Sequence, residues 1–444
     1  MEGSLNKISA WVIAVAAVVL CAFQFFDPYL WFDESGQFFL GMGLNHYDEP
    51  FSARGGLHDV LVNNRAFNLD PGGFSFLVYG WTFLSTSVYF LRLLPLLFFA
   101  ASVWLLYRIL DHTGVCGNYR PVCLGIYVIF GSVFSLITEF RAYPMELCGT
   151  LMTLWLYLKY ADDLSYKHLL LLSLVMGFFC TSRYSFILVA FVLAVVVLYS
   201  LYRKESFRQF IPKALVFGLP LLAVVAGIYL AMTRQQDSET LDYVGYIGRN
   251  LLLLASPLSL LFYANIVLWV IRYRRDREVP FVLTYTLLVS ALFFVLSLCS
   301  LFPWDLKRTV SVTLLNLVSL LVHFDGIARP WARKPWAVLS MEAAVVLCMV
   351  FLCYKTSHRG IDQVAKDFEA LDMDLYERVY IPYDIMPDVK YQYEFGRLRS
   401  RVEEDGYPDK FVFEVHLTRI GDTFETQLLK PEEVDCDLYF NIKP

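Results

Sequence analysis

Cysteine chemistry is nearly absent from this chain. There are nine cysteines in 444 residues, but Cys21, Cys148, Cys180, Cys299, Cys348 and Cys353 lie inside apolar runs, and only Cys436 lies in the polar C-terminal part. A lone thiol cannot staple that part to itself, and no CxxC or Cys/His metal spacing occurs, so a disulfide scaffold and a zinc module are both excluded. An extended basic face is missing too. Lys and Arg fall in short clusters between apolar runs, which argues against a nucleic-acid partner. No N-x-S/T sequon is present, a weak pointer to a bacterial source. The first apolar run is followed by no A-x-A pattern, and Leu20 is too large for the residue before a lipidated Cys21. It therefore reads as a retained helix rather than a cleaved signal.

What the chain has in abundance is apolar surface. It is 57% apolar and 17% aromatic, its mean hydropathy is +0.51, and its apolar runs of roughly 17 to 23 residues can each cross a hydrocarbon core. This is the composition of a polytopic helical membrane protein. The net charge of −5 conceals a division: residues 356–444 carry 11 Lys/Arg against 20 Asp/Glu, leaving 26 against 22 for residues 1–355. Residues 1–355 are read as the transmembrane domain and 356–444 as a separate, acidic, soluble domain. In the latter, GIDQVAKDFEALDM and KYQYEFGRLRSRVEED predict helices, while RVYIPYD and FVFEVHL predict strands, which together give a small α/β layer.

Beyond the first run, spans are expected near 90–110, 121–138, 145–160, 168–181, 185–202, 214–232, 249–271, 281–300, 309–325 and 336–354, about eleven in all. Lys7 on the short leading side favours a cytoplasmic N-terminus. The inside connections then hold Arg108 and Arg120; Lys167; Arg203, Lys204, Arg208 and Lys213; Arg272, Arg274, Arg275 and Arg277; and Arg329, Arg333 and Lys334. One choice decides this register. FSFLVYGWTFLSTSVYF (74–90) is apolar enough to span, but counting it would put the RYRRDR cluster outside. It is read instead as a surface helix with aromatic residues at headgroup level, within a first external loop at 27–89. An odd number of spans puts the acidic domain outside as well.

The segment from Phe26 to Arg92 concentrates the costly residues. Asp33 and Glu34 stand where the first helix leaves the membrane, beside Trp31 and Phe32. By residue type alone, two acids at a helix end more often face water or cap a neighbour, about two to one. Their surroundings reverse those odds. WFDESGQFF, then NLDPGGFSFLVYGW, then YFLRLLPLLFFAASVWLLYRIL, then TEFRAYPMELCGTLMTLWLYLKYA resemble, in this order, the GT-C superfamily of membrane glycosyltransferases, and more narrowly its protein mannosyltransferase and aminoarabinose transferase branch. The resemblance covers roughly the first 200 residues. It departs at Asp70-Pro71-Gly72, where many relatives carry His-Pro-Pro, so the role of that histidine does not transfer.

The resemblance implies a GT-C fold and an inverting glycosyltransferase. A polyprenyl-phosphate sugar would be the donor; a glycan, lipid or protein hydroxyl would be the acceptor; and the site would be the outer face of a bacterial cytoplasmic membrane. It gives Asp33, the first acid of the pair, the role of base. Glu34, which points elsewhere on a helix, is the second candidate catalytic acid, expected either to orient an external arginine or to contact the acceptor. The chemistry asks for the same groups: a carboxylate to take the acceptor proton, and fixed cations for the departing phosphate. Arg141, Arg183, Lys307 and Arg308 stand at outer helix boundaries, Arg141 and Arg183 each beside a tyrosine, the first of them Tyr143. Such cations bind phosphate or snorkel to lipid headgroups, at about even odds for Arg141 and Arg308. Glu139 is a candidate partner for Arg141. Asp70 and Tyr143 complete the expected substrate-contacting set. No cofactor is called for. His46, Asp48, Glu49, His58 and Asp59 match no dedicated metal spacing, so a divalent metal is left open and a solvated loop is the default. Tyr243 and Tyr246 read as an interfacial belt before a sugar site. The competing class is a transporter or flippase of a lipid-linked glycan, which would show inverted repeats and charges at the bilayer midplane; no repeat is visible.

Overall fold

The computed structural model describes residues 2–26, 30, 32–44, 54–67, 70–232, 253–277, 279–299, 301–332, 334–356 and five short strands beyond them. In chain order the helices are α1 (Glu2–Phe25), α2 (Phe32–Gly41), α3 (Leu57–Phe67), α4 (Gly73–Trp81), α5 (Val88–His112), α6 (Arg120–Val133) and α7 (Tyr143–Tyr160), followed by α8 (Tyr166–Cys180), α9 (Tyr184–Lys204), α10 (Phe207–Met232), α11 (Pro257–Asp276), α12 (Phe281–Leu298), α13 (Val310–Ala332) and α14 (Pro335–Thr356). Among the described residues, five stretches are long and apolar enough to cross a membrane: Val88–His112, Tyr184–Lys204, Phe207–Ala231, Phe281–Leu298 and Trp336–Tyr354. Large apolar side chains such as Phe191, Leu222, Leu230 and Phe351 stand exposed on them. That is costly in water and expected against lipid.

Local chemistry sets several boundaries. Ser256 accepts the Ser259 backbone N–H at 3.3 Å, and Pro257 opens α11. This serine cap followed by proline meets both needs of a helix N-terminus. The 74–90 stretch is not one helix. Gly72, at φ 90°, turns the chain into α4, which ends at Trp81; a turn and three residues outside any helix then separate it from α5. Nine residues rise only about 13 Å, far short of the hydrocarbon thickness. The expected 121–138 span is also shorter than its apolar run, because α6 stops at Val133 and Ser135 takes a left-handed turn at φ 60°.

The chain divides into two units. One comprises residues 1–19, 96–137 and 142–350; the other comprises 20–95, 138–141 and 351–444. In the first, α8 packs on α7 and α10, and α13 packs on α7, α9, α11 and α12. The α7–α8 contact is close: a Cβ on Gly149 would lie 2.5 Å from the Phe179 ring. In the second unit, α2, α3 and α4 pack together. Its strands are β1 (Arg378–Tyr380), β2 (Val412–Glu414), β3 (Thr418–Ile420), β4 (Thr423–Glu425) and β5 (Tyr439–Asn441). β1 pairs in parallel with β2 and antiparallel with β5, and β3 pairs with β4. β1 and β2 fall within the two segments expected to be strands. The helices expected at 360–373 and 390–405 lie outside the described residues.

Gly149→Ala should separate α7 from α8, since overpacking a tight contact costs about 1–3 kcal/mol. A lowered thermal midpoint of the detergent-solubilised protein checks it; an unchanged midpoint would show that the Phe179 ring moves aside freely.

Candidate functional site

Asp33 and Glu34 occupy the first turn of α2, where the helix dipole favours acids. Neighbours on a helix diverge by about 100°, and here that divergence separates two environments. The Glu34 side chain is 3% exposed and the Asp33 side chain 37%. Glu34 accepts the backbone N–H of Phe140 at 2.7 Å and lies 3.5 Å from the Arg92 guanidinium, itself buried. Arg92 also donates to the Gln24 carbonyl at 3.0 Å, and the Thr138 hydroxyl reaches the same carbonyl at 3.3 Å. Gln24 is in the last turn of α1, where carbonyls have no partner within the helix. One buried acid and one buried arginine thus join the end of α1, the start of α2, α5 and the 138–141 segment.

That segment carries Arg141. Its guanidinium forms an ion pair with Asp33 at 2.8 Å, partly open to solvent, and its backbone N–H donates to the Glu139 carbonyl at 2.7 Å. A half-exposed carboxylate beside a fixed guanidinium is an arrangement able to handle both a proton and an oxyanion.

The rest of this unit is braced by polar contacts. Gln37 donates to Ser75, Ser75 to Asn64 at 2.7 Å, and Asn64 to the Asp70 carbonyl at 3.0 Å. Asp70, expected to contact substrate, is buried in the turn that leads into α4. Arg54 lies over the Phe83 and Tyr79 rings and bonds to the Thr82 hydroxyl. Asp59 accepts the Gly56 N–H at 2.7 Å near the start of α3, and His58 beside it is exposed. Among the described residues no group of three metal-ligand side chains is gathered. His46, Asp48, Glu49, Tyr243 and Tyr246 lie outside the described residues.

The other unit holds its own constellation around Glu146, on α7, which is fully buried. Glu146 accepts from the Ser185 hydroxyl at 2.6 Å, the Ser311 hydroxyl at 2.7 Å and Arg183 at 3.3 Å. Thr150 and Ser311 share a further bond at 2.7 Å. Arg183 also donates to the Arg308 carbonyl at 3.2 Å and lies over the Tyr143 ring at 4.1 Å, with the Lys307 ammonium 5.3 Å from the same ring. Asp305 accepts the backbone N–H groups of Lys307 and Arg308, both at 2.9 Å, fixing the turn that presents them. Arg183, Lys307, Arg308 and Tyr143 are therefore brought together, with the Arg308 side chain outward. Sequence reasoning passed over Glu146, Ser185, Ser311 and Arg92. Glu146 did carry a signal, as an acid inside an apolar run; the serines carried none.

No family model matches this chain, and neither does any curated protein.

Removing one partner of a buried ion pair leaves the other charge without compensation, typically at about 3–5 kcal/mol. Glu34→Ala and Arg92→Ala should each lower unfolding stability by that order, and the double variant should cost clearly less than their sum. Additive losses in a double-mutant cycle would remove the coupling.

Proposed function

We propose that the protein is an inverting glycosyltransferase of GT-C type, moving a sugar from a polyprenyl-phosphate donor to the hydroxyl of a glycan, lipid or protein. The single observation that carries this reading is the Asp33–Arg141 pair at 2.8 Å, partly open to solvent and next in sequence to the buried acid of the Glu34–Arg92 pair. In the proposed step the acceptor oxygen attacks the anomeric carbon as Asp33 takes its proton. The bond from that carbon to the phosphate oxygen breaks on the opposite face, and polyprenyl phosphate leaves with the electron pair. The sugar is inverted.

The ion pair states a requirement of this chemistry. Arg141 occupies the carboxylate that must receive the proton, so productive binding has Arg141 turn to the donor phosphate, which a guanidinium can bind through two parallel hydrogen bonds. The incoming anion then both satisfies Arg141 and releases Asp33. Glu34 is a positioning residue in this scheme. Arg183 and Lys307 around Tyr143 form a second cationic group suited to phosphate or to headgroups. The reading also has about eleven spans, α4 at the outer surface, and the N-terminus in the cytoplasm of a bacterium. The acidic C-terminal part is a small α/β domain on the outside, consistent with the parallel pairing of β1 with β2, which calls for a crossover connection.

Purified protein in lipid vesicles, given radiolabelled polyprenyl-phosphate sugars and candidate acceptors, should transfer label. Asp33→Asn should lower turnover at least 10²-fold, the scale on which a positioned base contributes, with little change in thermal midpoint. Full activity in Asp33→Asn would remove the base. Arg141→Lys should retain a fraction of the activity that Arg141→Ala loses, and should raise the donor KM. Movement of labelled lipid across the bilayer with no transfer to any acceptor would favour the flippase reading instead.

A further inference from the structure

Between α11 and α13 the core is polar rather than apolar. Asn265 and Asn316 are fully buried and face each other across the two helices. The Asn265 amide donates to the Asn316 side-chain oxygen at 2.9 Å and to the carbonyls of Leu261 and Asn316 at 3.0 and 3.2 Å. The Asn316 amide donates to Ser290 on α12 at 2.7 Å and to the Val312 carbonyl at 2.9 Å. These bonds fix the Asn265 side chain, leaving its Oδ1 an acceptor with no donor among the described residues.

Two more buried atoms in this region share that condition. Ser319 Oγ, one turn along α13 from Asn316, has no partner among the described residues. His323 follows one turn later, with Nδ1 2.7 Å from the Ser319 carbonyl. Only an N–H can donate to a carbonyl, so in the neutral ring Nε2 holds the lone pair; it too has no donor among the described residues. Residues 316, 319 and 323 lie on one helix face. Arg272, seven residues beyond Asn265, acts electrostatically on His323, seven residues beyond Asn316. Along α13 the stretch from Asn316 to His323 rises about 10 Å.

We propose that this seam binds a file of about three water molecules at hydrogen-bond spacing, running from Asn265 Oδ1 past Ser319 Oγ to His323 Nε2. Both ends of the file accept and the serine can do either, which suits a ligand that donates two protons and accepts two. A cation fits poorly: none of the orphan atoms is a carboxylate oxygen, and the charge of Arg272 already acts on His323. A dry seam fits poorly as well, because buried polar atoms rarely go unpaired, and here one is on Asn265 and two are on α13 within two turns of its partner Asn316. Buried water most often bridges such groups. The inference is independent of the transferase chemistry.

Cryo-EM of the full chain in lipid nanodiscs, at a resolution that shows ordered water, should reveal density at hydrogen-bond distance from all three atoms. Well-ordered side chains around an empty seam, or a protein side chain filling it, would overturn the proposal. Thermal unfolding gives a second readout. Ser319→Ala should lower the midpoint, since the water beside it loses a partner. An unchanged or raised midpoint would mean that the hydroxyl was simply orphaned in a dry contact, and the file would be rejected.

Discussion

The second unit depends on the burial of Glu34 against Arg92. Two charges withdrawn from water rarely gain net stability over an apolar pair of the same size. Their value here is geometric. Glu34 holds the backbone at Phe140, Arg92 holds the last turn of α1 through Gln24, and Thr138 reaches the same carbonyl. Three segments far apart in sequence are thereby set against the first turn of α2. Arg141 follows Phe140 directly, so a backbone hydrogen bond made by the buried acid places the guanidinium that meets its exposed neighbour.

Glu146 solves a similar problem with different means. It too is an acid without water, but two hydroxyls from α9 and α13 supply most of its short bonds, and Arg183 completes them. Hydroxyls satisfy a buried carboxylate without adding another charge that must itself be desolvated. The arrangement leaves the Arg183 guanidinium committed at one nitrogen to Glu146 and the Arg308 carbonyl, while its plane rests on Tyr143. A cation held in this way loses little freedom when it meets an anion, unlike one on a mobile stem.

Much of the helix order was legible from apolar runs, because each run of membrane-spanning length has to satisfy its backbone internally. The break within 74–90 was not legible: the charge of RYRRDR spoke only against a span there, and the stretch was expected to form a single surface helix, whereas α4 ends at Trp81. Asp33 and Arg141 stood out singly, and chain folding alone pairs them. Glu34 and Arg92 are 58 residues apart, and nothing in either neighbourhood names the other. The surroundings of Asp70 were equally illegible: its carbonyl accepts from Asn64, which in turn accepts from Ser75, and neither partner is marked by the polar turn itself. Ser185 and Ser311 were invisible because serine is common at helix ends and carries meaning only once its partner is known.

Adjacent acids with opposite fates are therefore no redundancy. A helix turns 100° per residue, so any pair at its first turn must offer two directions, and in this fold one points into the packed segments and the other outward. The oxygens of the inward acid receive a backbone N–H and face a buried arginine. The outward acid meets Arg141, which is itself partly exposed, so a change at that pair need not disturb the buried one. Separating the buried pair from the partly exposed one lets the second rearrange while the contacts that hold the segments together stay fixed.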